Sequence, residues 1–152
     1  WAKPVETVPH IDLPRYLGTW YEVARLPQFF QRHCLGDVTA QYSPREDGRI
    51  GVLNRCRTGK GFIQAKATAK VMPDSGNARL KVTFFWPFSG NYWVIGLDEN
   101  YRWAVVGDPG RKYLWILSRT PVLGKEEMEK ALQAALSQGY DPGKLIQTVN
   151  GN

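Results

Sequence analysis

Residues 17–27 read LGTWYEVARLP. Thr19–Arg25 alternates as a strand does, and Pro27 ends it because proline cannot donate to a ladder. A glycine, a threonine and then an indole open this strand, and so large a side chain there needs a buried partner. The partner to test is Arg119, which ends a strand-like stretch, KYLWILSR at 112–119, about a hundred residues on. If the sheet closes on itself, its first strand pairs with its last. Antiparallel pairing then brings Trp20 and Arg119 together at one end. A guanidinium over an indole gains about 1 kcal/mol, more when desolvated.

The stretches between these two support such a closure. Asp12–Leu17 reads as one helical turn, with Asp12 as N-cap and Pro14 early in it. Strands follow at Asp37–Tyr42 and Arg49–Arg55, joined by SPREDG, then at 62–71, 78–85, 92–97 and 102–107. MPDSGN at 72–77, PFSGN at 87–91, DENY and GDPGR supply the turns. FIQAKATAKV and ARLKVTFF alternate with period two. Eight short strands without a crossover helix predict an all-β fold, an eight-stranded antiparallel up-and-down β-barrel over about residues 19–119. Closure also removes exposed sheet edges. Beyond it, Met128, Ala131, Leu132, Ala135 and Leu136 form one apolar stripe of a helix over 124–138. Glu126 and Glu127 stand in its first turn and Gly139 stops it. This C-terminal α-helix is expected to pack outside the barrel, followed by a short outer strand at 144–149. The whole of 1–152 reads as a single domain.

Alternation assigns an inward face. It holds Ala24 on the first strand and Val38, Ala40 and Tyr42 on the second. It holds Val52 and Asn54 on the third, and Ala65, Ala67 and Ala69 on the fourth. Leu80, Val82 and Phe84 follow on the fifth, Tyr92 and Val94 on the sixth, and Tyr113, Trp115 and Leu117 on the last. An eight-stranded barrel is either filled by its side chains or holds one small ligand. The alanine face, Ala40 and Gly96 are small, so space is expected inside for an apolar ligand. Tyr42, Asn54, Tyr92 and Tyr113 are isolated polar points that would orient it. Glu22 shares the inward parity and requires a partner, an arginine at the floor or mouth.

The segments resemble the lipocalins. Gly18-Thr19-Trp20 resembles their G-x-W motif and Arg119 their C-terminal arginine. At the turn after the sixth strand the family carries T-D-Y, and here Leu97-Asp98-Glu99 keeps only Asp98. GTWYEVARLP, YSPREDGRI, LKVTFFWPF, NYWVIGLDENYRWAVV and YLWILSRTP are similar to the bacterial outer-membrane lipocalins and the apolipoprotein D group, over about residues 12–149. The resemblance implies a barrel closed at Trp20 and Arg119 and open at the other end to fatty acids, lysophospholipids or similar lipids. It implies a place in the bacterial cell envelope, at the periplasm or outer membrane. Members there are often lipoproteins, lipidated on an N-terminal cysteine. This chain opens with Trp1 and polar residues and shows no such cysteine, as a processed, trimmed or unanchored chain would.

Two rim clusters are candidates for contact with a membrane surface: Phe85, Trp86 and Phe88 in FFWPF, and Phe29 and Phe30 in the long first loop. Arg32, Arg57 and Lys60 could meet an acidic lipid head. Cys34 and Cys56 flank the 37–55 hairpin and would face each other if its turn centres near Glu46. They form a disulfide, two buried thiols or one reactive thiol. Two cysteines with distant His10 and His33 do not supply the four close ligands of a metal site, and no metal or cofactor is expected. The expected function is binding of a small hydrophobic ligand or lipid, without catalysis. The alternative is a lipocalin-fold enzyme acting on a bound lipid through a cavity thiol. No Ser–His–Asp set is visible. The net charge of +6 could attract nucleic acid, but the aromatics fall mainly inside, which weakens a stacking platform, and no nucleic acid partner is expected. Monomer and homodimer both fit.

Overall fold

The structure is a computed structural model that describes residues 3–28, 33–85 and 88–151, without the side chains of Phe85 and Phe88. A short helix, α1 (Leu13–Tyr16), leads into strands β1 (Gly18–Arg25), β2 (Gly36–Pro44), β3 (Ile50–Thr58), β4 (Gly61–Val71), β5 (Arg79–Phe85), β6 (Phe88–Leu97), β7 (Trp103–Gly107) and β8 (Leu114–Ser118). Helix α2 (Lys125–Ser137), a 3-10 turn (Pro142–Lys144) and the two-residue β9 (Ile146–Gln147) follow. Each strand pairs antiparallel with the next, β8 pairs with β1, and β1 pairs with β2, so β1–β8 close into a barrel.

Several boundaries differ from the sequence reading, and those of β6 and β8 have a visible cause. β6 begins at Phe88 rather than 92, because Ser89, Gly90 and Asn91 pair with Thr83, Val82 and Lys81 of β5. Residues suited to turns still pair where a partner strand offers its ladder. β8 begins at Leu114, leaving Lys112 and Tyr113 outside it. The Asp108 carboxylate accepts from Tyr113 N–H and Gly110 N–H, so those amides serve the loop.

The seam between β1 and β2 is only partly made by those two strands. Their pairing stops at Tyr21 and Thr39. Beyond it, β9 pairs with Ala24 and Arg25. Thr148 N–H donates to Val23 O, and Asp37 N–H donates to Val149 O. The C-terminal segment thus fills the gap, which places its short strand in the seam itself.

Helix α2 lies on the outside of β6 and β7. Ala131 and Ala135 are fully buried against Ile95, Val105 and Ile116. Leu136, which the stripe placed inward, is exposed, and Ala134 packs in its stead. The Trp103 indole N–H donates to Glu127 at 2.7 Å and ties β7 to the helix's first turn. Gly96 is part of this contact rather than of the interior. A bulge between Val94 and Gly96 turns it outward, where a Cβ would lie 2.8 Å from Ala134 Cβ. Gly96→Ala is therefore expected to destabilise the fold by about 1–3 kcal/mol. Ala134→Gly in the same background should recover part of that loss in urea unfolding, and an unchanged midpoint for the single variant would contradict this packing.

Candidate functional site

One end of the barrel is sealed. Trp20 is wholly buried, and its indole N–H donates to Tyr16 O at 2.7 Å. Arg119 lies over the ring, 3.8 Å from its centroid. The same guanidinium donates to Thr19 O, Arg15 O and Tyr16 O at 3.0, 2.7 and 3.1 Å. One cation thus covers the plug and satisfies the carbonyls of the turn that enters it. Gly18 has φ +101° and leaves 3.4 Å between an added Cβ and Arg119, which is why glycine stands before Thr19 and Trp20. Asp12 caps α1 by position only, with no side-chain bond, and its N–H donates to the Tyr101 hydroxyl. Asp98 accepts from Arg102 at 2.9 Å and braces the β6–β7 turn that carries Tyr101. Burial raises its carboxyl pKa, but hydrogen bonds from Arg102 outweigh this and hold it below the ordinary value.

Above the plug the interior is filled. Ile11, Tyr16, Tyr42, Val52, Ala67, Leu80, Val82 and Val94 form one buried cluster. They leave a void of only about 20 Å³, lined also by Leu13 and Asn77. Three tyrosines supply its polar content. The hydroxyls of Tyr16 and Tyr92 are 2.7 Å apart, and Tyr42 stands edge-on to Tyr92 with centroids 5.8 Å apart. Burial pushes the Tyr42 phenol up to about 12, and it also raises those of Tyr16 and Tyr92.

Toward the other end the inward face opens. β3 and β4 pair without irregularity from Ile50↔Ala69 to Thr58↔Gly61, so Ala65 shares the lumen face of Ala67 and Ala69. Ala67 and Ala69 are buried, but Ala65 is exposed, and Ile63 beyond it is 45% exposed. Asn54, paired to Ala65 on one side and to Ala40 on the other, is half-buried, as is Ala40. Tyr113 stacks on Trp115 at 5.7 Å, both half-buried. Val38 is buried, and its N–H donates to the Asn150 side-chain Oδ1.

Several sequence assignments change. A bulge between Glu22 and Ala24 inverts the parity of β1, so Ala24 pairs with Ile116 in the outer layer under α2. Arg25 takes the inward side, opposite Trp115, and its Nη1 donates to Glu22 at 2.8 Å. Both are buried, and Thr148 also donates to Glu22. The partner that Glu22 requires is thus three residues away, invisible to strict alternation. Phe84 sits at the bulge between Thr83 and Phe85, 46% exposed, and borders a trough on the outer wall. Arg57 pairs through Nε with Asp37 at 2.8 Å and is partly exposed. Backbone Gly151 N–H and Arg57 hold the Asp37 carboxyl below its ordinary pKa. Cys34 and Cys56 form a disulfide, with Cα atoms 5.6 Å apart. Both thiols of the chain are consumed, so the cavity-thiol enzyme loses its nucleophile. His33 lies near the bonded sulfurs, which have no thiolate to give a metal. Phe29, Phe30, Arg32, Trp86 and the side chains of Phe85 and Phe88 lie outside the described residues.

A family model described as a lipocalin-like domain matches residues 11–150. The outer membrane lipoprotein Blc of Citrobacter freundii is 46% identical over 146 residues, covering 95% of this chain and 82% of that protein. Mouse apolipoprotein D is 33% identical over 165 residues, covering 99% and 82%. Insecticyanin from the tobacco hornworm Manduca sexta has the same fold, with a TM-score of 0.81 at 22% identity, covering 100% of this chain and 87% of that one.

The floor makes two predictions. Arg119→Lys keeps the charge but loses the planar fork, and it should cost about 1–3 kcal/mol in urea unfolding. An unchanged midpoint would show that the fork does not hold the floor. The phenol of Tyr42 ionises less readily folded than unfolded. Its contribution is complete below pH 10, the ordinary value, and is lost as pH rises toward about 12. Between those limits Tyr42→Phe should lose less stability than the native protein, as unfolding midpoints at stepped pH will show.

Proposed function

This chain belongs to the lipocalin family, and from that premise we propose that its barrel carries one fatty acid or lysophospholipid in the bacterial cell envelope. The lumen is built for a chain of apolar atoms. Its floor is closed by Trp20, Ile11 and Tyr16, so a ligand enters from the far end and leaves its polar head there. The observation that carries the reading is Ala65, a residue that faces the lumen and is nevertheless exposed, above Ala67 and Ala69 that are buried. Inward-facing side chains are wetted only where the barrel stands open. The walls there are Ala40, Ala65 and Ile63, with Asn54, Tyr113 and Trp115 to orient a head. The charges of Glu22 and Arg25 cancel within the pair, so the inner wall does not reject an apolar chain.

The relatives named outer membrane lipoproteins support the cell-envelope location, and the disulfide fits an oxidising compartment. Binding rather than turnover is supported by the loss of both thiols to that disulfide.

Native mass spectrometry of the purified protein, after loading with palmitate or lysophosphatidylcholine, should show one bound molecule per chain. Ala65→Trp should weaken uptake of a fluorescent fatty acid about tenfold or more, since an indole occupies the space of several methylenes. A barrel that takes up neither lipid, or an Ala65→Trp variant that binds as well as the native protein, would overturn the reading.

A further inference from the structure

The charge of this molecule is concentrated on one wall. Residues 49–97 hold eight of the 20 Lys and Arg and one of the 14 Asp and Glu, leaving twelve basic and thirteen acidic residues elsewhere. The whole net charge of +6 therefore comes from the stretch that folds as β3–β6. Within those four strands there is no acidic residue; Asp74 lies in the β4–β5 turn. Lys66 and Lys70 of β4 and Lys81 of β5 face outward and are exposed, and no ion pair among the described residues engages them. Lys70 stands directly opposite Lys81. Like charges in that position destabilise a sheet, so their placement sets a cost that folding does not explain.

Two further features lie on this wall. An open trough of about 590 Å³ runs across its outer surface, with Gln41, Ser43, Gly51, Lys66, Thr68 and Phe84 among its borders. Its hydroxyls and lysine match a phosphate-bearing headgroup. At the open end of the barrel the same wall presents Phe62, 54% exposed with Arg55 4.7 Å over its ring, together with the exposed Phe84. Helix α2 covers the outside of β6 and β7, so the part of this wall left open is β3–β5.

We propose that the outer wall of β3–β5 docks on an anionic phospholipid bilayer, Lys66, Lys70 and Lys81 meeting headgroups and Phe62 and Phe84 seating the open rim. Charge complementarity selects the partner. The exposed rings extend this choice, since they seat in a bilayer interface more readily than in a flat acidic protein surface. Docked this way, the mouth lies at the lipid surface. The inference does not depend on what the lumen holds.

The test is co-sedimentation with phosphatidylcholine vesicles, plain or with about one third phosphatidylglycerol, at low and high salt. Native protein should bind the anionic vesicles and release with salt. Lys66→Glu/Lys70→Glu/Lys81→Glu should bind about tenfold more weakly or worse. Lys112→Glu/Lys125→Glu/Lys144→Glu has the same net charge off this wall and should bind as the native protein does. Uptake of a fluorescent fatty acid from solution should be equal in all three, which shows that the variants are folded and separates this proposal from the lumen's function. Equal weakening of both variants would reduce the effect to net charge and overturn the proposal. So would indifference of the native protein to phosphatidylglycerol, or equal competition by single-stranded DNA for the same lysines.

Discussion

The barrel depends on one cation. Arg119 lies over the indole of Trp20 and donates to the carbonyls of Arg15, Tyr16 and Thr19. The last strand is thereby bound to the first strand and to the turn before it. Without that contact a buried indole would sit at the end of an open seam, and three carbonyls of the entering turn would lose a charged donor. Closure and floor are one construction, because the pair that closes the cylinder also plugs it. A plugged floor then makes the barrel one-ended. Whatever enters must enter at the far rim, and the gradient from buried Ala69 to exposed Ala65 follows from that asymmetry.

The seam on the other side of β1 is solved differently. β1 and β2 pair over only four residues each, then part. The bulge after Glu22 turns Arg25 into the lumen, and a lone cation there would be expensive to bury. Glu22 neutralises it, and Thr148 of the C-terminal segment adds a hydrogen bond to the same carboxylate. Asn150 meanwhile bonds Glu22 O and Val38 N–H, spanning both strands. The C-terminal segment is therefore part of the wall, and it stabilises the charge that the bulge brings inside.

Much of this was legible in the sequence. Period-two alternation, turn residues and the spacing of Trp20 and Arg119 specify eight strands and the end at which they close. Alternation failed wherever the ladder slips. Ala24, Gly96 and Phe84 each lie at a bulge, and the parity of a strand reverses across it. A bulge is set by tertiary fit, and its local signal is faint. Gly96 carried the only trace, a glycine inside a strand, which marks close approach of another backbone or helix as readily as space. Arg25 escaped for the same reason, and Tyr16 because its partners Tyr92 and Arg119 are distant in sequence. The Cys34–Cys56 pair was undecided because sequence separation permits a bridge without requiring one.

Interior and exterior divide the electrostatic work. Inside, the charges of Glu22 and Arg25 cancel and the tyrosine hydroxyls satisfy one another, so the lumen offers shape and a few hydrogen bonds but little field. A site of that kind suits holding a ligand, as proposed above, more than polarising one. The disulfide reinforces this, since it removes the two groups best able to become nucleophiles. Outside, β3–β6 keep their lysines unpaired and even opposed, although a carboxylate at Thr68 or Thr83 would have relieved them. A wall that stabilised only the fold would alternate its charges. Lys66, Lys70 and Lys81 instead run from the middle of that wall toward the floor, below the wetted rim at Ala65 and Ile63, so field and opening share one wall at different heights.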